Sequence, residues 1–245
     1  GEPDSLSVSE EEVSRFLDEV NEAAPWLDLR SEDIVLVYAG LLPAGSGSMV
    51  GTNVRFGHRS HIIDYASTRH VEGLVAAVTN RFTTARGVAE RVVDLAARKL
   101  DRDLPPCRTA VTPLFGAPRG SVTELGNELV RSSPVALESK TGERLARNHG
   151  SNGTNVLCSL REAPALAERL GPSGTLAAEV VYATRHELAT RLSDCVFRRT
   201  DIGSSGHPGE TALRRCAELM AGDLGWSPMR QAQELEDVRG RFRRS

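Results

Sequence analysis

Residues 71–100 place a short apolar run, a polar corner and a helical pattern one after another, and that order leaves few folds open. The run Leu74, Val75, Ala76, Ala77 and Val78 is too short for a buried helix and reads as a strand. Beyond it Ala85, Val88, Ala89, Val92, Val93, Ala96 and Leu100 recur at helical spacing. The corner at 79–84 therefore lies at a helix N-terminus. A helix start offers unpaired backbone N–H groups and a partial positive charge, so it suits an anion or an electron-rich ring edge. An ordinary α/β corner capped by Thr83 or Thr84 fits the same residues, and the stretch by itself does not separate the two readings.

Composition narrows the classes. The chain has 245 residues, enough for one or two domains, with 40% hydrophobic and 26% charged residues and a formal net charge of −3. That is not the basic footprint of a nucleic-acid binder, and Arg239, Arg241, Arg243 and Arg244 read as a solvated end. Cys107, Cys158, Cys195 and Cys216 are too far apart for a zinc ribbon or a dense disulfide scaffold. His58 and His61 lack a third metal ligand nearby, so they read as surface groups. No apolar stretch is long enough to span a membrane and the N-terminal segment is acidic, which points to a cytoplasmic protein. The chain opens at Gly1 and its first Met is Met49, so it reads as a piece of a longer protein.

In chain order, Ser9-Glu10-Glu11-Glu12 is a capping box for a helix with Val13, Phe16, Leu17, Val20 and Ala24 on its apolar stripe, stopped by Pro25. Residues 34–39 read as a buried strand ending at Gly40. The Gly/Ser-rich stretch 41–51 nearly spells the dinucleotide fingerprint. Its spacing is one residue too long and strands rather than a helix follow, so it is expected to be a flexible loop. Residues 62–65 read as another strand, and Arg59, just before it, is suited to gripping a carboxylate or phosphate. Residues 101–120, rich in Pro and Gly, read as a connector. Beyond it the pattern is helical: 123–130, 143–148, 163–170, a long helix at 176–199, then 210–224 and 228–242. On the long helix, Glu187 with Arg191 and Asp194 with Arg198 would form i,i+4 pairs. His186-Glu187 starts a zinc-protease pattern, but Thr190 stands where the second His would be.

Tyr38-Ala39-Gly40-Leu41-Leu42-Pro43, Arg59-Ser60-His61, Asn80-Arg81-Phe82-Thr83-Thr84-Ala85-Arg86 and Glu179-Val180-Val181-Tyr182-Ala183-Thr184-Arg185-His186-Glu187-Leu188-Ala189 stand in this order. Together with Phe197-Arg198-Arg199-Thr200 they resemble the C-terminal half of the FAD-dependent glycerol-3-phosphate dehydrogenases, flavoproteins related to the amino-acid-oxidase superfamily. The first is similar to the family's Tyr-Ala-Gly-x-Arg-Pro strand end, the second to its Arg-x-His segment and the third to its Gly-Gly-Lys-x-Thr-Thr-x-Arg corner. The last pair is similar to the signature of its helical domain.

The resemblance implies an α+β first part at 1–118, a remnant of the flavin and substrate domain, followed by an all-α domain at 119–245. It implies hydride transfer from a small phosphorylated alcohol to flavin N5, with Arg81, Phe82, Thr83 and Thr84 contacting FAD. Arg59 and Arg81 would face the substrate phosphate or the flavin. It also implies a quinone or other electron acceptor, a place at the inner membrane surface if the protein is peripheral there, and an N-terminal Rossmann half outside this chain. Without that half the FAD site is incomplete and the isolated chain is expected to be inactive. Leu42 stands where the family has arginine, Arg81 where it has lysine, and Thr79-Asn80 where it has a glycine pair. A non-catalytic binding or assembly module, or a relative that has lost the flavin site, is the competing expectation.

Overall fold

The computed structural model describes residues 8–38, 40, 42, 44–50, 53–56, 60–118 and 120–243. The chain divides into two compact units. One takes residues 39–114, and the other takes residues 7–38 together with 115–245.

The first unit holds two antiparallel hairpins and a long helix. Strand β1 (Ala44–Val50) pairs with β2 (Asn53–Phe56), with an irregularity in register between Ala44 and Met49. The Gly/Ser stretch expected as a loop is therefore one arm of a hairpin. Its ladder needs only backbone groups, which glycine and serine supply as well as any residue. Strand β3 (His61–Asp64) pairs with β4 (Val75–Val78) in the register His61 to Val78 and Asp64 to Val75. Between them lies the short helix α2 (Tyr65–Arg69), whose N-cap Asp64 accepts from Ala66 N at 3.1 Å. A 3₁₀ turn (Phe82–Thr84) then leads into α3 (Ala85–Lys99). At the far end of α3, Lys99 Nζ reaches Asp64 at 2.9 Å, tying the helix back to the hairpin. Lys99 holds the Asp64 carboxyl below the usual carboxylate range, and the Lys99 ammonium is raised in turn.

The second unit is helical. Helix α1 (Glu10–Ala23) carries the expected capping box, with Ser9 N donating to Glu12 Oε2 at 2.9 Å and Glu12 N to Ser9 Oγ at 3.3 Å. The Asn21 amide then clasps the backbone N–H and C=O of Leu29, both at 2.8 Å. Residues 34–38, expected as a strand, are in none, because no strand pairs with them among the described residues. They run along Gly206, where a Cβ would stand 2.9 Å from Val35 Cβ.

Helices α4 (Val122–Ser132) and α5 (Ser139–His149) approach closely through glycine. A Cβ on Gly126 would stand 2.9 Å from the Glu143 backbone. Helix α6 (Gly153–Glu162) follows. Pro164 then opens a 3₁₀ turn (Pro164–Ala167) where a helix at 163–170 was expected. A two-residue ladder, β5 (Arg169–Leu170) with β6 (Thr175–Leu176), leads into α7 (Ala177–His186).

Helix α7 is buried on every side from Ala177 to Ala183, Glu179 included. Val180 and Ala183 join a core with Leu192, Val196, Leu213, Met220 and Val238. Ala178 and Tyr182 join another with Leu129, Leu145, Val156 and Leu160. Each fully buried aliphatic side chain contributes about 1.5–3 kcal/mol.

The helix expected at 176–199 is interrupted. Glu187 N and Ala189 N both donate to Ala183 O at 3.1 Å, while Leu188 takes a left-handed φ of 56°. Helical structure resumes at α8 (Leu192–Asp194) and widens into a π turn at Cys195–Arg199. Thr200 closes that turn, its hydroxyl donating to Cys195 O at 2.7 Å. Asp194 pairs with Arg198 as expected, at 2.9 Å. Arg191, separated from Glu187 by the break, pairs instead with Asp237 at 2.6 Å and Glu234 at 3.4 Å. Helices α9 (Glu210–Leu224) and α10 (Pro228–Arg243) complete the unit. The α+β beginning and helical continuation agree with the sequence. No helix among the described residues is long and apolar enough to cross a membrane.

Candidate functional site

The corner between β4 and α3 is built by a few short-range bonds. The β3–β4 ladder pairs His61 with Val78, so the next residues outward, Ser60 and Thr79, face each other. Ser60 Oγ donates to Thr79 Oγ1 at 3.1 Å. The same Thr79 oxygen accepts from Arg81 N at 3.3 Å, a hydroxyl-closed turn that bends the chain out of the strand. Arg81 O then accepts from both Thr84 N, at 3.3 Å, and Thr84 Oγ1, at 3.2 Å.

That last bond matters for the helix start. Thr84 is the N-cap of α3, yet it makes no side-chain capping bond, because its hydroxyl is turned back onto Arg81. The reading in which Thr84 caps the helix is thus not what this corner does. Thr83 is exposed and the Phe82 ring is 98% exposed. A phenyl ring in water is an apolar surface, and among the described residues nothing covers it.

Of the residues expected at a site, the structure brings Arg81, Phe82, Thr83 and Thr84 together on this corner. Arg59 lies outside the described residues, while its neighbour Ser60 is bonded into the corner. Leu42 is exposed, with both its neighbours outside the described residues. Among the described residues no group of three His, Cys, Asp or Glu side chains is arranged to hold a metal ion. The Ser60–Thr79 bond was not anticipated. Its signal was the hydroxyl at position 79, where the resembling family has glycine.

The second unit has its own polar centre. Glu179 is fully buried and receives Arg144 Nη1 and Nη2 at 2.8 and 2.5 Å, Leu176 N at 2.7 Å and His149 Nε2 at 3.0 Å. Burial alone would raise its pKa. The hydrogen bonds from His149 and Arg144, with the Arg144 charge, outweigh that and hold the carboxyl below its ordinary range. The His149 ring meets Tyr182 edge-on at 5.7 Å, and Tyr182 lies 4.9 Å from His186. Buried Glu234 does similar work nearby, accepting from Leu192 N at 2.9 Å and facing Arg230 at 2.6 Å. The signature residue Glu179 thus joins α5 to α7.

The description of the C-terminal domain of alpha-glycerophosphate oxidase matches residues 107–231. A glycerol-3-phosphate dehydrogenase of Synechocystis sp. is 30% identical over 242 residues, 93% of this chain and 41% of that protein. The mitochondrial glycerol-3-phosphate dehydrogenase of Mus musculus is 29% identical over 235 residues, 93% of this chain and 31% of that protein. The chain therefore spans less than half the length of either relative. The structure of a Bacillus halodurans glycerol-3-phosphate dehydrogenase complexed with FAD superposes with a TM-score of 0.71. It is 21% identical and covers 98% of this chain and 46% of that one, a likeness of fold.

Proposed function

Since the chain belongs to the family defined by the C-terminal domain of alpha-glycerophosphate oxidase, we propose that it is the C-terminal portion of an FAD-dependent, glycerol-3-phosphate dehydrogenase-like oxidoreductase. Of residues 1–118, the unit at 39–114 would complete a flavin and substrate domain, while residues 7–38 lie in the same compact unit as residues 119–245, the helical C-terminal domain of this reading. The observation that carries this reading is the corner itself. A strand ends in a hydroxyl-closed turn, and a 3₁₀ turn at Phe82–Thr84 leads directly into the N-terminus of α3 with no side chain capping it.

The 3₁₀ turn that opens α3 presents the positive end of that helix to the electron-rich pyrimidine edge of a flavin. Phe82 and Thr83 would hold that edge through their backbone, with Thr84 beside them, its own N–H bonded to Arg81 O, and negative charge there is favoured by roughly 0.3–2 kcal/mol. When bound, FAD supplies the N5 position that takes a hydride. Arg81 and Arg59 hold the substrate's phosphate, each offering a planar fork of N–H donors to its oxygens. Leu42 offers no such charge, so these arginines carry more of the phosphate recognition than their counterparts would. The pyrophosphate and adenine fall to an N-terminal Rossmann half, and the electrons pass on to a quinone or another acceptor. Glycerol metabolism, in the cytoplasm or at the inner membrane surface, is the setting this chemistry fits.

The visible spectrum of the full-length protein tests the cofactor assignment. Purification with flavin absorbance, or its recovery on adding FAD, is expected. A colourless protein that takes up no FAD would leave the competing reading, a binding or assembly module.

A further inference from the structure

We propose that Thr79 is a positioning residue for substrate-phosphate recognition, an inference that rests on the reading of the corner as a flavin and substrate site. A single oxygen, Thr79 Oγ1, accepts one hydrogen bond from Ser60 Oγ at 3.1 Å and another from Arg81 N at 3.3 Å. It thereby ties the chain entering β3 to the chain leaving β4. The second tie adjoins a cation, since Arg81 is itself its donor.

Glycine at position 79 could make neither bond, since it has no side-chain acceptor. In this chain a side chain bridges the two strand ends. Thr79 is exposed, so its side chain is not needed to fill a core. The β3–β4 ladder ends with His61 opposite Val78, so Ser60 and Thr79 stand just past the last backbone pairing. Their hydroxyl bond extends the closure of the hairpin by one position, at the mouth of the corner.

Such a latch acts on binding geometry rather than on the hydride step. A bidentate guanidinium contact depends on the angle and spacing at which the fork is presented, more than a point charge does. Loosening the turn that carries Arg81 should therefore weaken phosphate binding and leave the chemical step in place.

The test uses the full-length flavoprotein with Thr79→Val, which keeps the shape and removes the acceptor, and Thr79→Ser, which restores it. Steady-state dye reduction with glycerol 3-phosphate gives KM and kcat, and inorganic phosphate as competitor gives an inhibition constant. Thr79→Val is expected to raise both KM and the phosphate inhibition constant by about three- to tenfold, the range for loss of one hydrogen bond, with kcat within about twofold. Thr79→Ser should return both constants to within about twofold of the unsubstituted protein. Unchanged constants in Thr79→Val would overturn the proposal. So would an equal fall in kcat and flavin content that Thr79→Ser fails to rescue, which marks a merely structural role. If the unsubstituted protein takes up no flavin and reduces no dye, the functional reading fails and this inference falls with it. An active protein indifferent to Thr79→Val overturns the inference alone.

Discussion

Arg144 grips Glu179 with both terminal nitrogens, at 2.8 and 2.5 Å, and the carboxylate it grips is wholly inside the helical unit. Removing one partner of a buried pair leaves the other charge uncompensated, at a cost of about 3–5 kcal/mol. Glu179→Gln should therefore lower the urea midpoint of this chain by an amount equivalent to about 3 kcal/mol. Removing both charges with Arg144→Met and Glu179→Leu should recover part of that loss. A double variant as unstable as the sum of the singles would show that the pair is not the unit of stability.

The same residue sets a pH dependence. The Glu179 carboxyl is held below its ordinary range in the folded chain, so the unfolded state binds its proton more readily. Its contribution is fully present above the ordinary carboxylate pKa and is lost as pH falls through the folded value. Urea midpoints taken from neutral to acid pH should fall more steeply for the unsubstituted chain than for Glu179→Gln. Parallel curves would place the acid sensitivity elsewhere.

The cysteines separate into two reactive and two inert groups. Cys107 and Cys158 are exposed, whereas Cys195 and Cys216 are buried in the core around α7 and α9. Burial pushes the Cys195 thiol well up and the Cys216 thiol up to about 12, which suppresses the nucleophilic thiolate. A thiol reagent at neutral pH should modify Cys107 and Cys158 promptly and the other two only in denaturant. Fast modification of Cys195 or Cys216 would mean that this core opens readily.

Much of this architecture is visible in the residues because local chemistry and tertiary packing agree. Ser9 and Glu12 announce α1, and the apolar spacing from Ala85 to Leu100 announces α3. Where they disagree, pattern misleads. Residues 34–38 have the composition of a strand, but a strand exists only with a partner, and among the described residues none pairs with them. Glu187 and Arg191 have helical spacing, yet the chain turns at Leu188 and Arg191 pairs with Asp237. The corner at 79–84 was legible as strand, loop and helix. The use of Thr79 as a double acceptor was not, because it depends on the register that brings Ser60 opposite. Glu179 left a clue, a single carboxylate in the otherwise apolar run that opens α7, but its partners Arg144 and His149 are distant in sequence.

If, as proposed, the corner around Arg81 belongs to a flavin-dependent site for a phosphorylated alcohol, dye reduction in the FAD-loaded full-length protein should distinguish glycerol 3-phosphate from unphosphorylated glycerol. A charged contact to an anion is worth about 1.5–3 kcal/mol, so a preference for the phosphorylated substrate of at least about tenfold in kcat/KM is predicted. Equal rates with the two alcohols, or no reduction with either, would show that this corner is not such a site.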